Sequence, residues 1–209
     1  MNQYLPENNL TQMQRMVSGQ WYVAEGEEIT NASKRAARLI RAYPEKYYSD
    51  PAEARAILED LLGEVGQDVD IRPPFFFDYG SQLYIGDRTF INFNFTALDI
   101  CPIEIGDDCQ FGPSVQLLTA IHPLNPGARA ARVEGGMPIK IGKNVWLGGG
   151  VIVLPGVEIG ENTVVGAGSV VTKSLPANVV AAGNPARVLK EITLQTREKI
   201  PGLILNHES

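Results

Sequence analysis

In the second half of the chain the apolar residues recur every six positions. Ile141, Leu147, Val153, Ile159, Val165 and Val171 form one series, and Ile139, Val145, Val151, Val157, Thr163 and Ser169 precede them by two. The second series is aliphatic four times and then turns to small hydroxyl residues. The residue after each member of the first is Gly142, Gly148, Leu154, Gly160, Gly166 and Thr172, mostly glycine. An earlier block repeats the pattern with Ile105, Phe111 and Leu117, accompanied by Ile103, Cys109, Val115 and Ile121. Before it stand Ile85, Ile91 and Ala97, and the step of eight from Ala97 to Ile105 marks a two-residue insertion.

A period of six fits neither a helix, at 3.6, nor a meander of strands alternating at 2. It fits a short flat strand plus a corner, so that three units make a triangular coil of about 18 residues. The aliphatic residue points inward, and the small residue after it allows a corner where a Cβ would crowd. Each coil buries its neighbour's apolar interior, so the units stabilise one another. The prediction is a mainly-β parallel solenoid from about Leu83 to Leu189. The period alone leaves its handedness open, although crossovers are right-handed in about 98% of cases generally.

The pattern breaks from His122 to Pro138, where Pro123, Pro126, Gly127, Gly135, Gly136 and Pro138 predict a long extruded loop. Leu117 and Ile141 are 24 apart, a multiple of six, so the chain leaves and returns in phase. Residues 11–63 are mainly helical instead. Asp50-Pro51-Ala52-Glu53 supplies an N-cap, a proline at the first helical position and a capping-box glutamate, and Gly63 supplies the stop. Further helices are expected over Ser33–Ala42 and roughly Thr11–Ser18, with Glu25-Gly26-Glu27-Glu28 as a solvated turn. The chain thus divides into a helical cap (1–70), a solenoid (71–189) and a C-terminal tail (190–209).

Composition changes this picture little. The chain has 209 residues, 44% hydrophobic and 20% charged, as ordinary globular proteins do. A net charge of −6 lacks the basic footprint of a nucleic-acid binder. No apolar run reaches the roughly 20 residues of a membrane span, and Met1-Asn2-Gln3-Tyr4 has no signal-peptide character. Cys101 and Cys109 are too few for a disulfide framework and are expected as reduced core residues. A cytoplasmic location is expected.

Only two histidines are present, His122 and His207. That count excludes a three-histidine zinc site of the hydratase kind, and no metal is expected. His207 lies at the extreme C-terminus and is read as incidental. His122 stands where a rigid scaffold gives way to a long loop, a frequent location for function.

The segments Asn92-Phe93-Asn94, Leu98-Asp99-Ile100-Cys101-Pro102-Ile103 and Ala120-Ile121-His122-Pro123 resemble the maltose/galactoside O-acetyltransferase family, nearer its maltose branch. So do Asn144-Val145-Trp146-Leu147-Gly148-Gly149, Ala182-Gly183-Asn184-Pro185-Ala186-Arg187 and the cap stretch Met16-Val17-Ser18-Gly19-Gln20-Trp21-Tyr22. The resemblance runs from about Thr11 to Ile192. It implies a left-handed parallel β-helix and acetyl transfer from acetyl-CoA to a sugar hydroxyl, in sites between subunits of a homotrimer. His122 matches the catalytic base, Asn92 the residue that stabilises the tetrahedral intermediate, and Glu134 an acidic residue able to orient His122. Asp78 and Asp99 match acceptor-binding positions, and Trp146 is a further candidate against the sugar or thioester. Gly149, Ala167, Thr172, Lys173, Arg187 and Lys190 match the CoA side. Structural readings stand beside these: a solvated loop charge for Glu134, a turn residue for Asp78, an insertion-stabilising cap for Asp99, and surface packing for Trp146. Ala24 and Ile100 replace acidic residues of galactoside-type members, which bears on the acceptor alone. The competing readings are another acceptor (a lipo-oligosaccharide, amino sugar or xenobiotic) and a non-catalytic solenoid scaffold.

Overall fold

The inward aliphatic series wind the chain into a parallel β-solenoid of about six turns with three walls. The computed structural model describes residues 3–193 and 196. The first wall stacks Glu64–Val65, Leu83–Ile85, Ile103–Ile105, Ile139–Ile141 and Glu158–Ile159. The second stacks Asp70–Ile71, Phe90–Ile91, Gln110–Phe111, Trp146–Leu147, Val164–Val165 and Val179–Ala182. The third stacks Phe75–Phe77, Phe95–Leu98, Gln116–Leu118, Ile152–Val153 and Val170–Val171. Inside the second wall, Ile71, Ile91, Phe111, Leu147, Val165 and Ala181 lie in one register and are all buried. Each large apolar side chain sealed this way contributes on the order of 1.5–3 kcal/mol.

Parallel pairing starts before Leu83 and gives way to an antiparallel strand at the C-terminal end. Glu64–Val65 already pairs with Tyr84–Ile85, so the first coil begins ahead of residue 71. At the other end, Arg187–Glu191 turns back antiparallel to Val179–Ala182, and Leu189 is exposed. His207 and most of the tail lie outside the described residues.

The glycine after each inward aliphatic residue serves close stacking. A Cβ on Gly142 would come within 2.6 Å of the Glu161 amide, and one on Gly148 within 2.6 Å of the Ala167 amide. The left-handed backbone that turns the corners sits two residues further on, at Asn144, Gly150, Gly156, Asn162 and Gly168, with φ between 53° and 77°. Asparagine and glycine tolerate that region best. Thr163 and Ser169 replace inward aliphatics near the short last coil, where their hydroxyls reach the carbonyls of Pro176 and Gly166.

One corner differs from the others. Each step from the first to the second wall, and from the second to the third, covers six residues. From the third wall to the next first wall the inward residues run Phe77–Ile85, Ala97–Ile105, Leu117–Ile141, Val153–Ile159 and Val171–Leu175, or 8, 8, 24, 6 and 4 residues. The two-residue insertions and the long loop therefore all leave the solenoid at the third corner, on consecutive coils.

Two helices close the N-terminal end, and a third, shorter one precedes them in the chain. α1 (Gln12–Val17) starts with a reciprocal capping box between Thr11 and Gln14. α2 (Glu27–Tyr47) is longer than the expected Ser33–Ala42: it takes Glu27 and Glu28 into its first turn and continues through Pro44. α3 (Pro51–Leu61) is capped by Asp50, which accepts from the Glu53 amide at 3.1 Å. The Glu53 side chain pairs with Lys46 at 2.6 Å. Ala36, Leu39, Tyr43, Leu58 and Leu61 from α2 and α3 pack onto Ile71, Phe75 and Leu83 as one core. Polar groups meet the outermost strands too. Arg55 donates to the carbonyls of Val65 and Gly66 at 2.8 and 2.6 Å, and the Tyr43 hydroxyl donates to that of Ile71 at 2.9 Å.

Candidate active site

The expected loop is an ordered arm. Ala120–Ile121 leaves the third corner, α4 (Pro126–Ala130) turns the chain, and Val133–Gly136 returns antiparallel to the first strand. Asn125 caps α4 by accepting from the Ala128 amide at 3.0 Å. On its other edge the returning strand pairs with Tyr22–Val23 from the cap, giving a three-stranded sheet with the arm's return strand in the centre.

The register of this sheet brings cap and arm together. Ala120 pairs with Gly136 and Ile121 with Gly135, and His122 follows one residue past the end of that strand, while Tyr22 pairs with Glu134 directly. Facing residues of antiparallel strands share a side, which puts Tyr22 and Glu134 in one row. The Tyr22 hydroxyl donates to Glu134 Oε2 at 3.0 Å. Below the row, Tyr22 packs with Met16, Ile29, Tyr79, Ile100 and Cys101, with Ala120 at the edge of the group. This satellite core joins cap, arm and both short insertions of the third corner. Cys101 and Cys109 are free and buried.

The electrostatics of this corner are those of crowded acids. Burial and then the charge of Glu134 raise the Asp78 carboxyl above its usual range. Burial, Asp78 and Glu134 push the Tyr79 phenol up to about 12. Tyr22 is raised further, by burial first and the Glu134 carboxylate second. Asp99 differs from Asp78. It is fully buried, and its Oδ1 and Oδ2 accept from the amides of Tyr79 and Gln82 at 2.9 and 3.2 Å. Burial lifts it to about 6 against these amide bonds. Asp99 thus ties down the 78–82 insertion from beneath.

His122 is exposed at the rim of the arm, beside a cleft of about 560 Å³ bounded by Tyr4, Trp21, Leu124 and Val133. Thr172 and Lys173 are exposed at the same third corner. The other candidates lie elsewhere. Asn92, Gly149 and Ala167 occupy the second corner, at the opposite edge of the third wall. Asn92 accepts from the Phe93 amide at 2.8 Å, which leaves its NH2 end as a donor. Trp146, 56% exposed, and Lys190 line a groove of about 790 Å³ on the second wall with Asn144, Asn162 and Asn178. Arg187 is exposed at the start of the final strand. One chain therefore places Glu134 near Asp78, with His122 at the rim of the same arm, and keeps Asn92, Trp146 and Gly149 apart from them. Among the described residues, no group of three or more His, Cys, Asp or Glu is placed to hold a metal ion.

Tyr22 and Tyr79 were not among the sequence candidates. Tyr22 and Glu134 are 112 residues apart, and nothing local in either segment announces the pairing.

A solenoid of six-residue repeats of this kind is the fold of the hexapeptide-repeat acetyltransferases. Residues 138–173 match the family model of the bacterial transferase hexapeptide (six repeats). Residues 15–66 match that of the maltose acetyltransferase hexapeptide capping motif. The fold resembles a maltose O-acetyltransferase from Clostridium difficile, with a TM-score of 0.86, 41% identity, and coverage of 89% of this chain and 100% of that one. It resembles a galactoside acetyltransferase in complex with coenzyme A with a TM-score of 0.84, 36% identity and coverage of 88% and 92%. The galactoside O-acetyltransferase of Escherichia coli is 36% identical over 184 residues, 88% of this chain and 91% of that protein. The chain belongs to the maltose/galactoside O-acetyltransferase family and is an acetyltransferase.

Proposed function

We propose that the protein moves an acetyl group from acetyl-CoA to a hydroxyl of maltose, glucose or a related saccharide, as a cytoplasmic homotrimer. The observation that carries this reading is His122, exposed at the rim of the arm one residue past the strand that pairs with the return strand carrying Glu134. A sugar hydroxyl is a weak nucleophile at neutral pH. His122 takes its proton as the oxygen attacks the acetyl carbonyl, and Glu134 stabilises the resulting imidazolium. The Asn92 NH2 group donates to the oxyanion of the tetrahedral intermediate. The C–S bond then breaks, the acetyl ester leaves on the sugar, and His122 returns its proton to the thiolate.

The separation of His122 from Asn92 within one chain supports sites completed by an adjacent copy. Gly149 and Ala167 leave room for the pantetheine arm along the second corner, with Thr172 across the third wall from them. Lys173, Arg187 and Lys190 are exposed cations suited to the phosphates. Asp78 and Trp146 serve the acceptor, and Asp99 serves it indirectly by holding the insertion that carries Asp78. Ala24 and the buried Ile100 supply no carboxylate, which favours a maltose-type acceptor over a galactoside.

His122→Ala is expected to lower the acetylation rate, read as free-thiol release from acetyl-CoA, by about 10²–10⁴-fold. Its thermal unfolding should match the wild type. Wild-type rates in this variant would refute the mechanism, and a monomeric mass by light scattering would refute the shared site.

A further inference from the structure

Glu134 occupies the middle of the arm's sheet, with its side chain held from one flank only. That hold comes from Tyr22, a residue of the N-terminal cap that is 1% exposed and belongs to neither the solenoid nor the arm. The contact has three features that a chance surface hydrogen bond lacks. Its partners are direct cross-strand neighbours, so the backbone ladder fixes their separation. The Tyr22 ring is locked among Met16, Ile29, Tyr79, Ile100 and Cys101. And Glu134, near Asp78, forms no ion pair with any basic residue among the described ones.

A carboxylate in that setting has two ways to lower its energy, by taking up a proton or by accepting a strong hydrogen bond. Tyr22 offers the second. By occupying Oε2 it holds the rotamer of Glu134 and leaves Oε1 as an uncommitted acceptor; His122 follows the strand Ala120–Ile121 on the other side of the return strand.

We propose that Tyr22 is the positioning residue of the acid–base pair: its phenol holds the Glu134 carboxylate in place for His122, and so makes the helical cap part of the catalytic apparatus. This rests on the reading of Glu134 as the partner of His122. Tyr22 touches neither acceptor nor acetyl-CoA and acts only through Glu134.

The test is a double-mutant cycle of Tyr22→Phe and Glu134→Gln, measured as kcat and KM. Phenylalanine keeps the buried ring and removes only the hydroxyl. Tyr22→Phe is expected to fold and to lower kcat about tenfold, as loss of one hydrogen bond to a charged group does, with KM for acetyl-CoA unchanged. In the Glu134→Gln background the same change should cost nothing further. If Glu134→Gln impairs turnover and Tyr22→Phe leaves kcat as in the wild type, the positioning role is refuted. It is also refuted if the two losses simply multiply. If Glu134→Gln itself has wild-type kcat, the underlying assignment of Glu134 is what fails.

Discussion

The first two corners of the solenoid and the third are built from the same repeat and behave oppositely. At the first two, every step is six residues, and the coils press so closely that a Cβ on Gly148 would sit 2.6 Å from backbone of the next coil. At the third corner the steps range from 4 to 24 residues, and every excursion of the chain emerges there. The tight corners leave no room for extra chain. The third corner is covered on its outer side by α1 and the Tyr22 strand, so extra residues gain a second core to pack against. Variation collects where its apolar residues can be buried, and the candidate residues Asp78, His122 and Glu134 collect with it.

The contrast can be broken most severely by moving an insertion. Two residues added after Gly148, at the second corner, should destabilise the fold by on the order of 4 kcal/mol or prevent folding, since the stacked backbones cannot part. The same two residues added after Gly156, at the third corner, should cost less than about 1 kcal/mol, as surface loops do when lengthened. Equal losses in denaturant unfolding would erase the distinction between the corners.

A smaller effect separates the two kinds of glycine within one corner. Gly148→Val should cost about 3 kcal/mol through overpacking. Gly150→Ala meets nothing closer than 4.0 Å but carries a φ of 70°, and should cost about 1 kcal/mol of backbone strain. Thermal unfolding of both variants gives the order, and a costlier change at Gly150 would show that conformation rather than stacking rules the corner.

The smallest effect sharpens the third corner. Folding raises the Asp99 pKa from 3.8 to about 6, so the folded state binds that proton more tightly than the unfolded chain. The contribution of Asp99 to stability is therefore greatest below about pH 4, falls as pH rises towards 6, and is constant above that. Asp99→Asn should remove this slope while offering only one acceptor oxygen for two amides. The difference in urea midpoint between wild type and variant, followed from pH 4 to 8, should change through that window. A flat difference would mean that Asp99 is not strained by its burial.

Much of this architecture was legible in the sequence because the solenoid writes its geometry in a short period. The inward series gave the walls from Leu83 onward, and the 24-residue return from Leu117 to Ile141 placed the arm. The corner conformation was misplaced by two positions: the glycines after the inward aliphatics serve stacking, and the left-handed residues are the mixed asparagine and glycine series Asn144, Gly150, Gly156, Asn162 and Gly168, which an apolar period does not pick out. The first coil was harder to see: its inward residues Val65, Ile71 and Phe77 are too few to establish a period before an eight-residue step resets it. α2 outran its apolar stretch because packing of Ala36, Leu39 and Tyr43 on the solenoid carries it through Pro44. The candidate site was least legible. Asp78 and Asp99 look alike as acids beside an insertion, and only the fold shows one flanking the arm and the other beneath it accepting amides. The Tyr22–Glu134 contact depends on two segments that no local pattern relates.

The cap has a consequence beyond its packing. A coil of this kind is a template: it offers the next coil the same row of carbonyls and amides that it received, with nothing in the repeat to say how many coils suffice. Arg55 on the carbonyls of Val65 and Gly66, with Tyr43 on that of Ile71, occupies the outgoing end of that template with side chains that cannot extend it. The helices thereby set the length of the object. They turn a sequence that could stack end on end into fibres into a particle of fixed size.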